Sequence, residues 1–227
     1  MAALLRIVAL LAYFVVAHRA LRVDSPRLAG LALGLLAIIV FIRGLLALRP
    51  RAWVLALAWI AVAWGLAGSV CAAPILLLMP SLFLALACSL FARTLVRDRI
   101  PLVVRMVALI EGQSAAELAP DIRTYATNVT RLWAGVLGGL SLLNLMLALN
   151  TVPGGVLQRL GMVPPWPLSP EVAATVDTWG IYVPVVATLV GEFIYRQQRF
   201  PGRYSGPLDY LRKLAKIPRE KWADIFH

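Results

Sequence analysis

Apolar residues run along this chain in long blocks separated by short polar joints. Four blocks precede Phe91 and two follow Trp133, at about Ala2–Ala17, Leu28–Leu48, Ala52–Val70, Cys71–Ala92, Leu132–Asn150 and Val172–Tyr195. Each approaches the ~20 apolar residues that cross a bilayer as a helix. The one long interruption reads FARTLVRDRIPLVVRMVALIEGQSAAELAPDIRTYATNVTRLW, too charged for hydrocarbon and too patterned for a linker. The pattern predicts an all-α, polytopic membrane helix bundle of about six transmembrane helices. A cytoplasmic amphipathic segment separates the fourth from the fifth. The organisation is a four-helix membrane half (1–92), the amphipathic segment (93–131), a two-helix membrane half (132–195) and a basic cytoplasmic tail (196–227). In the tail, Leu208, Leu211, Leu214 and Ile217 with interspersed Lys and Arg predict a short helix lying on anionic lipid.

The joints carry local signals. Pro50 disfavours helix at Arg49 and so predicts a tight turn. Pro74 and Pro80 are expected to kink the fourth span. Trp53 fits an interfacial belt, whereas Trp59 and Trp64 are expected to pack against neighbouring helices. The Gly30/Gly34, Gly65/Gly68 and Gly135/Gly139 spacings suggest close helix packing, and Asn144 and Asn150 should face protein and bond between helices. Within the interruption, Pro101 can start an interfacial helix ending at Gly112. Ser114 and Glu117 match a capping box, and Pro120 opens a helix that continues into the fifth span. On that helix Arg123, Thr127, Thr130 and Arg131 fall near one side, and Tyr125, Asn128 and Val129 on another. This reads either as a polar platform at the cytoplasmic mouth, gripping a headgroup, a phosphopantetheine arm or a partner protein, or as a solvated helix end with membrane-anchoring arginines.

Composition sharpens this picture. The 227 residues are 61% hydrophobic and only 15% charged, with mean hydropathy +0.82. Soluble domains carry about 25% charged residues, which excludes a water-soluble fold. The net charge of +11 raises the question of nucleic acid, but the basic residues flank the apolar blocks, as the positive-inside rule produces. With the N-terminus inside, roughly 18 basic residues fall on the inner side against 4 outside. Both termini are then cytoplasmic, with membrane lipids rather than nucleic acid as partners.

The chemistry is sparse. Cys71 and Cys88 lie in apolar blocks and offer neither a disulfide framework nor a CxxC metal site. No HExxH, GxSxG or paired-aspartate run is present, and an acyltransferase would want Asp five residues after His, where His18 is followed by Val23 and Asp24 comes one residue late. No metal and no cofactor is expected, and enzymatic activity is not favoured. Glu192, one turn before Arg196 near the inner end of the last span, is the most informative acid: the spacing predicts a local ion pair, and an ionisable group in a membrane helix is a functional suspect.

Pro101-Leu102, Pro120 through Tyr125, Thr130-Arg131-Leu132-Trp133, Gly191-Glu192-Phe193-Ile194-Tyr195-Arg196 and Arg199-Phe200-Pro201 together resemble a family of bacterial inner-membrane proteins. Its members are found beside the fatty-acid-synthase-like genes of aryl-polyene (xanthomonadin-type) pigment clusters, and some are labelled ketosynthase. This chain lacks the Cys-His-His machinery of decarboxylating condensation. The resemblance implies an accessory protein of a lipid-like pathway that docks an acyl carrier protein, polyketide- or fatty-acid-like enzymes, or their carrier-bound product. Arg123, Tyr125, Thr130, Trp133, Glu192 and Arg196 are the matching positions for substrate or partner binding. A small transporter or lipid flippase and a membrane-bound transferase are the alternatives.

Overall fold

In a computed structural model the described residues are 2–23, 25–67, 69, 71–96 and 99–200. They form eight helices: α1 (Ala2–Arg22), α2 (Pro26–Leu46), α3 (Pro50–Leu66), α4 (Ala72–Ala92), α5 (Leu102–Glu111), α6 (Pro120–Asn150), α7 (Val156–Arg159) and α8 (Pro170–Arg199). The only strand-like feature among them is an isolated bridge between Thr151 and Leu168. Three helices, α4, α6 and α8, are long and apolar enough to cross a membrane. Their outward residues, such as Tyr182, Val183, Val186 and Leu189 on α8, are large and apolar. Soluble proteins rarely expose such a patch, and lipid accepts it. The chain is therefore a helical membrane protein. The helix expected in the tail lies outside the described residues.

Two compact units divide the chain: residues 1–79 with 145–173, and residues 80–144 with 174–227. In the first, the core gathers Tyr13 and Ala20 of α1, Ala29, Leu33 and Leu36 of α2, Ala63 of α3, and Leu76 of α4. The proline signal at the α2–α3 joint is realised: Arg49 is extended and Pro50 occupies the first turn of α3, where its missing N–H costs nothing. Pro74 likewise lies in the first turn of α4, leaving Pro80 as the interior proline of that helix. Only Pro80 can therefore interrupt the hydrogen-bond ladder. Of the described glycines in those spacings, Gly30 alone is a close approach, since a Cβ there would meet the Ala67 Cβ at 2.3 Å; Gly68 lies outside the described residues. Gly34, Gly65, Gly135 and Gly139 face open space.

The two tryptophans expected inside α3 part company. Trp59 donates its indole N–H to the Leu33 carbonyl at 2.9 Å. Trp64, at 80% exposure, corrects the expectation that it packs against a helix. Asn144 and Asn150 are buried, but each amide donates to the carbonyl one turn back on its own helix, Leu140 at 3.2 Å and Met146 at 3.0 Å. A helical carbonyl has a second lone pair, so an asparagine in lipid can be satisfied locally. Asn150 Oδ1 also accepts the Trp166 N–H at 3.3 Å, which ties down the loop after α6.

In the second unit α4 and α6 are joined by a reciprocal pair. Ser81 donates to the Ser141 carbonyl at 2.8 Å and Ser141 to the Ser81 carbonyl at 2.9 Å. Nearby, the Cys88 thiol donates to the Ala134 carbonyl at 3.2 Å. The amphipathic helix α5 turns its stripe inward: Val104, Val107 and Ala108 are buried with Leu118, Ile122 and Ala126. That face meets protein instead of the lipid surface expected for an interfacial helix. Its first turn is capped from a distance. The Leu102 N–H donates to Thr94 Oγ1 at 3.0 Å and the Val103 N–H to Thr130 Oγ1 at 3.2 Å. Gly112, with φ +68°, closes the helix in the left-handed conformation that glycine adopts freely.

The Ser114–Glu117 pair forms, with the Ser114 N–H donating to Glu117 Oε2 at 2.9 Å. It folds a turn, however, and the helix begins only at Pro120. That backbone hydrogen bond, with a second from the Ser114 side chain, holds the exposed Glu117 carboxyl below the usual glutamate range. Thr130→Val tests the remote cap. Removing the hydroxyl while keeping the shape strands the Val103 N–H, at a cost of about 1–2 kcal/mol. The expected outcome is a lower unfolding midpoint in detergent and faster amide exchange over α5, with exchange in α1–α3 unchanged. Unaltered α5 exchange would refute the cap.

Candidate functional site

Where the apolar part of α6 gives way to its polar beginning, α6 and α8 enclose an open cavity of about 650 Å³. That lies within the ~300–1,000 Å³ of typical ligand pockets. On α6 it is lined by Asp121, Thr124, Tyr125, Asn128, Val129 and Leu132, with Pro120 at the rim. These positions recur every third or fourth residue and so share one face. Gly191, Glu192, Tyr195 and Arg199 supply the α8 wall. Polar groups gather at the Asp121 and Arg199 end, and the lining becomes apolar towards Leu132.

At its centre the Tyr125 hydroxyl donates to Glu192 Oε1. Arg196 Nε lies 3.6 Å from the same oxygen, and both side chains are largely buried. The one-turn spacing on α8 produces the expected ion pair, and the Arg196 guanidinium also lies 5.8 Å from the centre of the Phe193 ring. Aromatic contacts hold the tyrosine in place. Its ring stacks on Tyr195 at 5.8 Å between centroids and meets Phe200 edge-on at 5.4 Å. Phe200 in turn packs against the α5–α6 core. The carboxylate thus has a hydroxyl and a guanidinium as partners, the kind of pairing a charge removed from water requires.

Of the six residues singled out from sequence, the structure brings together Tyr125, Glu192 and Arg196. Arg123 is exposed off the cavity face, and Trp133 is half-buried outside it. Thr130, with 0% exposure, donates to the Ala126 carbonyl at 2.8 Å and caps α5. It positions a helix and is closed to any ligand. Arg123 and Thr130 were placed on one side of α6, yet one is exposed and the other fully buried, because the α5 core covers part of that side. Sequence reasoning missed Asp121, Thr124, Leu132, Tyr195 and Arg199. The signal was the unbroken i, i+3, i+4, i+7 series running from Asp121 through Leu132, matched on α8 by Glu192, Tyr195 and Arg199.

No cluster of three or more His, Cys, Asp or Glu suited to a metal occurs among the described residues. Comparison with protein-family models, curated proteins and solved structures returns no match.

A double-mutant cycle tests the central contact. Tyr125→Phe and Glu192→Ala, measured singly and together by unfolding in detergent, should be non-additive by about 1.5–3 kcal/mol, as expected for a hydrogen bond to a charged group. Additivity would mean that the two side chains are not coupled.

Proposed function

We propose that this is an integral membrane accessory protein that receives an amphiphilic, lipid-like molecule at the cytoplasmic boundary of the bilayer. The observation that carries the reading is the α6–α8 groove, polar at one end and apolar at the other. A soluble metabolite has no use for the apolar end, and a hydrocarbon has none for the polar end.

In this reading the chain spans a bacterial inner membrane six times, through α1–α4, α6 and α8, with both termini in the cytoplasm. At 1.5 Å per residue the 21 residues of α1 and α2 extend about 31 Å, close to the ~30 Å hydrocarbon core. The 17 residues of α3 extend about 25 Å, a shortfall that local thinning of the bilayer accommodates. The positive-inside count supports the orientation, and α5 stays on the cytoplasmic side. The groove serves a lipid-like pathway of the aryl-polyene type, whose acyl carrier protein or fatty-acid-synthase-like enzymes dock beside it. Binding and transfer, not bond chemistry, are the chain's contribution, because Glu192 is occupied by Tyr125 and Arg196. A transporter built on Asn144 has less support, since that side chain bonds its own helix and does not line the groove.

Deleting the gene should leave the lipid-soluble product synthesised but depleted from membranes. The wild-type chain should restore it. Thr124→Trp, which fills the groove from an exposed position, should insert normally and fail to restore it. Unchanged membrane content in the deletion strain would contradict the proposal.

A further inference from the structure

The charges lining the groove are not equivalent, and their difference names a class of ligand. Glu192 is already engaged by the Tyr125 hydroxyl and by Arg196. Asp121 and Arg199 also line the cavity, yet no hydrogen bond or ion pair engages either side chain among the described residues. They are opposite in sign and do not pair with each other. Asp121 opens α6 and Arg199 closes α8, so both belong to the polar end. Val129 and Leu132 follow about 12 and 17 Å further along α6, at 1.5 Å per residue. Between them lie the stacked rings of Tyr125 and Tyr195, and Tyr195 keeps 56% of its surface open.

From this arrangement we infer that the groove selects a zwitterionic amphiphile, with an aminophospholipid such as phosphatidylethanolamine as its membrane source. This rests on the reading of the groove as an amphiphile site. The phosphate meets Arg199, whose guanidinium fork matches phosphate geometry. The ammonium meets Asp121 and the open face of Tyr195, combining ion pairing with attraction to the ring. The acyl chain follows Val129 and Leu132 towards hydrocarbon. A purely anionic head would satisfy Arg199 and bring like charge to Asp121. A neutral head would leave both charges unused. Only a head carrying both signs uses the whole polar end.

The test uses the purified full-length protein in neutral detergent, with native mass spectrometry reading the binding of lysophosphatidylethanolamine, lysophosphatidylglycerol and chain-free phosphoethanolamine. The ethanolamine lipid should bind about two- to fivefold more tightly than the glycerol lipid, the range expected of an exposed charge contact. Asp121→Asn should abolish that preference, and Arg199→Gln should weaken both lipids. Chain-free phosphoethanolamine should bind far more weakly than its lipid. Equal affinity for the two head groups, a preference for the anionic one, or a preference untouched by Asp121→Asn would overturn the inference. Tight binding of chain-free phosphoethanolamine would remove the role of the apolar end. Saturable binding of none of the three would overturn the amphiphile reading itself.

Discussion

The polar half of the site depends on one buried hydroxyl. Thr130 accepts the Val103 N–H and donates to the Ala126 carbonyl in a position closed to water. A backbone donor left unpaired there would cost more than most side-chain contacts return, so α5 stays docked as long as the threonine is in place. Docking brings Val104 and Val107 against Ile122 and Ala126. Those contacts hold the start of α6 as helix beyond its apolar span. Without them, residues 120–131 would have no packed core, and Tyr125 would have no fixed place from which to reach Glu192.

A second consequence concerns cost. A carboxylate near hydrocarbon is expensive unless it is paired, and Glu192 has two partners from two helices. The ion pair on α8 alone would be a weak surface feature. The hydroxyl from α6 makes it part of the packing between helices, and Tyr195 and Phe200 hold the Tyr125 ring that carries it. Among the described residues, the other charges of the groove, Asp121 and Arg199, pair with neither Glu192 nor each other.

Much of the fold was legible because hydrophobic runs and prolines are local signals. Pro50 and Pro120 start helices where their chemistry says they should, and Gly112 ends one. The α5 helix was legible as an element, but not its partner. An apolar stripe reads the same whether lipid or protein covers it, and only Leu118, Ile122 and Ala126 decide between them. Trp64 and Asn144 failed for a related reason. Neighbours along the chain do not reveal whether another helix lies opposite an indole, or whether an amide turns back to its own backbone. The Glu192–Arg196 pair was visible at four-residue spacing, whereas its link to Tyr125, 67 residues away, is a tertiary fact. Arg123 was named beside Tyr125, although the groove belongs to the face that bears Tyr125, Asn128 and Val129.

In the proposed orientation the α5–α6 turn, with exposed Gln113, lies on the cytoplasmic side of the membrane. An epitope inserted after Gln113, probed with antibody in inverted and in right-side-out membrane vesicles, tests this most directly. Binding confined to inverted vesicles is the predicted result. Binding to right-side-out vesicles would put the groove's polar mouth on the outer side and contradict the account.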